Sequence, residues 1–152
     1  MDKYQKLRPF TDLELCNCES ISGIVLLNML TENPLHCSVC RKEIEPSRLE
    51  LEPELVDEIA RWSSVYNALY SLWFNSGQYE NWAKEQLLNM KGQVNKLGMN
   101  LAKKLSDLYP TYYWCFFDVD DGIPEFCPNC RRQLSEDFDW GTGNCRECKI
   151  ML

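Results

Sequence analysis

Cys127-Pro128-Asn129-Cys130, followed after fourteen intervening residues by Cys145-Arg146-Glu147-Cys148, is the stretch on which the reading of this chain turns. Each Cys-x-x-Cys pair can fold as a tight knuckle with converging sulfurs, and a connection of this length can return as a short hairpin. Four thiolates then surround one tetrahedral Zn2+, with Cys127, Cys130, Cys145 and Cys148 as the ligands. Sulfur in all four positions leaves none for water or substrate, so such a metal braces a fold and does not catalyse. A disulfide-exchange role for Cys127 and Cys130 would leave the second pair without a use, and no βαβ pattern surrounds them.

A second constellation lies upstream, where Cys16-Asn17-Cys18 precedes His36-Cys37-Ser38-Val39-Cys40. Cys37 and Cys40 form a knuckle-like pair that could recruit Cys16 and Cys18 into a second metal site, with His36 as an alternative ligand. Against this stand the unusual Cys-x-Cys geometry and the habit of free cysteine of acting as a small buried hydrophobe. One zinc is therefore expected, and two if this cluster forms. Nine cysteines leave one over in any disulfide scheme, which favours metal binding in a reducing compartment and a cytoplasmic location. Cys115 falls inside an aromatic run, where core packing is its expected role.

Cysteine is absent from Arg41 to Trp114, and this gap is helical in pattern. Leu55, Ile59, Trp62, Tyr66, Leu69 and Trp73 alternate spacings of four and three, which predicts a helix from about Pro53 to Phe74. Pro53 suits the first turn and Asn75-Ser76-Gly77 a stop. A second helix from about Gln78 to Met90 would present Tyr79, Trp82, Leu87 and Met90. A third would carry Val94, Leu97, Leu101, Leu105 and Leu108 before Pro110 ends it. Thr111-Tyr112-Tyr113-Trp114-Cys115-Phe116-Phe117 is aromatic without helical spacing and reads as a strand. The chain is thus expected to be α+β, a central helical core with an aromatic strand and a C-terminal four-cysteine zinc ribbon. Residues 1–52 form a cysteine-bearing segment packed on the core, 53–118 the helical core plus strand, and 119–152 the ribbon, all in one compact unit.

Of 152 residues 45% are hydrophobic, enough for a core, and 16 Lys and Arg against 23 Asp and Glu give a net charge of −7. That balance disfavours general affinity for nucleic acid, which draws on clustered cations, and suits a partner with a basic surface. No apolar run is long enough to cross a bilayer. Residues 43–58 carry seven acids against Arg48, and with Asp118, Asp120, Asp121 and Glu125 they could form an acidic face for a protein partner. The third helical region is locally basic, usually a mark of a solvated face. A single histidine removes most acid–base schemes and any zinc site that needs two or three histidines, and there is no glycine-rich phosphate loop or nucleophile motif. No enzyme is expected.

Asn17-Cys18-Glu19-Ser20, Pro34-Leu35-His36-Cys37-Ser38-Val39-Cys40, Arg61-Trp62-Ser63-Ser64-Val65-Tyr66, Pro110-Thr111-Tyr112-Tyr113-Trp114 and the two terminal cysteine pairs occur here in order. Together they resemble a bacterial family of unknown function, described as zinc-ribbon-containing with a suggested nucleic-acid-binding role. The resemblance spans roughly residues 17–150, and this chain carries extra residues at about 21–33. It implies that the terminal cysteines are the metal ligands. The expectation for function is a non-catalytic structural-zinc protein, of immunity or antitoxin type, that neutralises a basic effector such as a nuclease, with Asp118, Asp120, Asp121 and Glu125 as candidate contacts. The alternative is a zinc-ribbon regulator that grips nucleic acid through Arg131, Arg132 and Arg146.

Overall fold

The computed structural model describes residues 2–7, 15–28 and 33–152. Three helices follow the apolar periodicity: α1 (Pro53–Asn75), α2 (Glu80–Leu88) and α3 (Gln93–Ser106). Five short strands, β1 (Ile24–Leu26), β2 (Leu35–Cys37), β3 (Thr111–Trp114), β4 (Asn144–Cys145) and β5 (Ile150–Met151), form one sheet in the order β2-β1-β3-β5-β4. The inner pairs β1–β3 and β3–β5 are parallel, and the outer pairs β1–β2 and β4–β5 are antiparallel. Parallel neighbours need long crossovers, which the three helices supply between β1 and β3 and the second cysteine segment supplies between β3 and β5. Residues 1–52, 53–118 and 119–152 all contribute strands to this sheet.

Alternation along β3 divides its aromatics between two faces. Tyr113 is fully buried against the helices, 5.9 Å from Trp62, which in turn lies 5.3 Å from Tyr66. Its hydroxyl donates to Asn95 Oδ1 at 2.8 Å, and Asn95 Nδ2 donates to the Leu87 carbonyl at 2.8 Å, so the Tyr113 hydroxyl and the Asn95 amide are paired. Gly98 is required here, because a Cβ would land on the Tyr113 ring. On the opposite face Tyr112 and Trp114 join Val25, Leu27 and Met151, and Phe138 and Trp140 cover them from the C-terminal segment.

The helices meet expectation in α1, where Ile59, Trp62, Tyr66 and Leu69 are buried, although Val56 is buried where Leu55 and Trp73 are only partly so. In α2 the expected stripe fails. Ala83 and Leu87 are buried, whereas Tyr79 and Trp82 are half exposed. Tyr79 precedes the helix as its cap, and Trp82 sits one position from Ala83, about 100° around a helix too short to bury a broad face. Leu108 likewise falls beyond the end of α3 and is exposed. The aromatic strand stops at Trp114 and does not continue to Phe117.

Candidate metal centres

Cys127-Pro128-Asn129-Cys130 and Cys37-Ser38-Val39-Cys40 fold the same way. In each, the first cysteine's N–H donates to a carbonyl five residues on, Arg132 or Lys42, at 2.8 Å. The residue after the second cysteine, Arg131 or Arg41, donates back to the first at 2.9 Å. Closing so tight a turn drives that residue into the left-handed region, with φ 67° at Arg131 and 68° at Arg41. Lys149, which follows Cys148, has φ 55°, and there the turn is closed by the pairing of Cys145 with Ile150.

Cys127, Cys130, Cys145 and Cys148 converge, with all four Sγ atoms within 4.8 Å of one another. Cys16, Cys18, Cys37 and Cys40 do the same. Sulfurs bound at about 2.3 Å to one tetrahedral zinc stand about 3.8 Å apart. Cys130 to Cys145 measures 3.7 Å and Cys18 to Cys37 3.9 Å. The donor chemistry and spacing fit, so each cluster could hold one metal ion, and none of these cysteines is in a disulfide.

Crowded thiols cannot all ionise unaided. In the C-terminal cluster the backbone N–H of Arg132 brings the Cys130 thiol down to about 7, while burial pushes Cys127 up to about 12. In the N-terminal cluster burial pushes Cys40 up to about 12. It acts on Cys16 as well, but there the Cys18 N–H and neighbouring thiols outweigh it and bring the group to about 7. A divalent cation is the partner that lets four such thiolates coexist.

The Cys-x-Cys limb works because its side chains alternate. Cys16 is buried, Asn17 is exposed and Cys18 is half-buried, which places both sulfurs on one side. The limb is tied down by the Cys16 N–H donating to the Glu43 carbonyl at 2.7 Å. Arg48 clamps it from beyond the knuckle, its guanidinium donating to the carbonyls of Cys16 at 3.0 Å and Cys18 at 2.5 Å. Sequence reasoning missed Arg48, which only the three-dimensional return of the chain reveals. His36 is not among the converging ligands: its Nδ1 donates to the Arg41 carbonyl at 3.2 Å. In the C-terminal cluster Asn129 Nδ2 donates to Cys148 Sγ at 3.3 Å, a bond of the kind that orients metal ligands. Cys115 is buried apart from both clusters, 3.9 Å from Met90 Sδ, and burial pushes its thiol well up.

The acidic segments do not form one face. Phe116 packs 4.8 Å from Trp73, which puts Asp118–Glu125 beside the C-terminal end of α1, whereas Glu50, Glu52 and Glu54 stand exposed at its N-terminal end. About twenty helical residues, roughly 30 Å, separate them. Asp118 is buried, and Lys84 Nζ lies 2.8 Å from its carboxylate and 2.8 Å from that of Asp121. Lys84 draws the Asp118 carboxyl below its ordinary value. Asp120 and Glu125 are exposed, beside exposed Val119, Ile123 and Phe126. Of the arginines proposed for nucleic acid, Arg132 is paired with Glu147 and Arg146 with Asp137, each at 2.9 Å, while Arg131 makes no ion pair among the described residues.

Fold and sites define a small α+β protein with a four-cysteine centre at each end of a mixed sheet. A family model described as a domain of unknown function (DUF2310) matches residues 20–116, and the chain belongs to that family. The match includes Cys37 and Cys40 and stops before the C-terminal cluster, so the wider resemblance over residues 17–150 narrows to this span. No curated protein and no solved structure matches the chain. Among the described residues no helix is long and apolar enough to cross a membrane.

Proposed function

We propose that this is a non-catalytic, zinc-braced protein that binds a basic protein partner through the segment between β3 and the C-terminal cluster. The observation that carries this reading is the surface of that segment. Val119, Ile123 and Phe126 are 69%, 60% and 53% exposed and are interleaved with Asp120, Asp121 and Glu125. Exposed apolar side chains rimmed by one sign of charge suit a protein interface, the apolar groups supplying affinity and the acids steering and selecting the partner. The segment is tied at both ends, by the Lys84 bridges and by Cys127. Zinc with four thiolate ligands has no open position, which supports binding over chemistry.

Its most specific form is an immunity or antitoxin-type protein that covers a basic effector such as a nuclease. The test is retention of a basic protein from nuclease-treated extract by the wild-type chain, compared with Phe126→Ala and with Asp120→Lys combined with Glu125→Lys. Phe126→Ala should weaken the complex about tenfold and the charge reversal should weaken it further, mainly in association rate. Equal retention by all three proteins, or retention of nucleic acid alone, would overturn the reading. Elemental analysis of each variant should still find zinc, since none of these residues is a ligand.

A further inference from the structure

We infer that the N-terminal cluster is a second zinc centre whose filling closes a strap over the far face of the sheet, with Arg41 as the link. This rests on the zinc reading above but not on the identity of any partner. The strap is the 135–144 connection of the C-terminal segment. Phe138 packs edge-on against Tyr112 at 4.9 Å and Trp140 packs against Trp114 at 5.3 Å. Its base is pinned by reciprocal bonds between Ser135 and Asn144, each 2.8 Å, and by the Thr142 N–H donating to the Leu152 carbonyl. Its tip is held from the other end of the molecule. Arg41 lies 3.2 Å from the Asp139 carboxylate, donates to the Asp139 carbonyl at 2.6 Å and sits 5.9 Å from the centre of the Trp140 ring.

Arg41 can do this because of where the knuckle puts it. Turning Cys37 and Cys40 towards one metal fixes the left-handed backbone of the next residue, and so fixes the direction in which the Arg41 side chain leaves. An empty N-terminal centre frees that turn and with it the guanidinium. A filled centre presents the guanidinium to Asp139 and Trp140. Arg131 is the internal control, with the same position, φ and knuckle bonds but no ion pair among the described residues.

The experiment uses the full chain, with zinc counted by elemental analysis and amide exchange read at Asp137 and Thr142. The variants are Arg41→Gly, Arg131→Gly and the double change Cys37→Ser with Cys40→Ser. Glycine accepts the left-handed backbone, so both arginine variants keep their knuckles. Two zinc ions per chain are expected in the wild type and in both glycine variants. Exchange should quicken about two- to five-fold in Arg41→Gly, the scale of one exposed ion pair, and stay unchanged in Arg131→Gly. The cysteine variant should hold one zinc and quicken the same amides at least as much. One zinc in the wild type, unaltered by the cysteine changes, would overturn the second centre. Two zinc ions with equal exchange in the two glycine variants would overturn the link and leave the zinc reading standing. If the cysteine variant does not fold, the two glycine variants decide the link.

Discussion

The N-terminal centre is assembled from a knuckle at the end of β2 and a separate limb, Cys16 to Cys18, held by backbone and by Arg48. The C-terminal centre is two knuckles facing each other across a hairpin, with Asn129 as the side chain that touches a sulfur. The second design is written locally, each ligand pair carrying its own turn. The first depends on contacts between distant residues, so metal binding there should be more sensitive to changes outside the cysteines.

Removing ligands should have the largest effect. Cys127→Ser with Cys145→Ser should delete the proposed zinc, whose binding in small zinc modules is worth roughly 10 kcal/mol or more of folding energy. Zinc content should fall by one per chain and exchange protection should vanish over residues 126–149, while the circular dichroism of α1–α3 persists. Loss of both metals would break the comparison by showing the centres to be one unit. Arg48→Ala should come next. It should weaken metal about 10- to 100-fold at the N-terminal centre alone, as measured by chelator competition, since it removes the clamp on the limb. Asn129→Ala removes one N–H···S bond and should weaken the C-terminal metal by about tenfold or less in the same titration. Equal sensitivity of both centres to both changes would erase the distinction between local and distant support.

The smallest effect concerns the Lys84 bridge at the root of the exposed segment, which approaches the C-terminal cluster. Lys84 draws the Asp118 carboxyl below its ordinary value of 3.8. A depressed folded value means that the bridge stabilises above the unfolded value and is lost as pH falls through the folded one. The stability gap between wild type and Asp118→Asn should therefore be full near neutrality and shrink as pH falls towards 3.8 and below. A gap that widened on acidification would show that the bridge does not carry this linkage.

Spacing made α1 and the C-terminal cluster legible, because both obey short-range rules, the 3.6-residue stripe of Ile59, Trp62, Tyr66 and Leu69 and the turn of Cys-x-x-Cys. Periodicity puts Trp82 on the apolar stripe yet the residue is exposed, because periodicity marks which residues could share a face and not whether anything covers it. The acidic stretches 43–58 and 118–125 show a related limit, since a charge pattern contains nothing of the length of α1 lying between them in the chain. Asp118 carries no local sign of burial, and the lysine that pairs with it lies thirty-four positions earlier.

By itself the sequence determined the α+β class, the helices and the C-terminal four-cysteine cluster, all of which rest on interactions spanning a few residues. The tertiary structure alone decided that Cys16 and Cys18 meet Cys37 and Cys40, that Arg48 holds the Cys16–Cys18 limb while Arg41 reaches Asp139, and that two four-cysteine clusters flank one sheet. Those outcomes depend on where β1, β3 and β5 pair, and strand pairing is set by burial across the whole chain, which no local pattern contains.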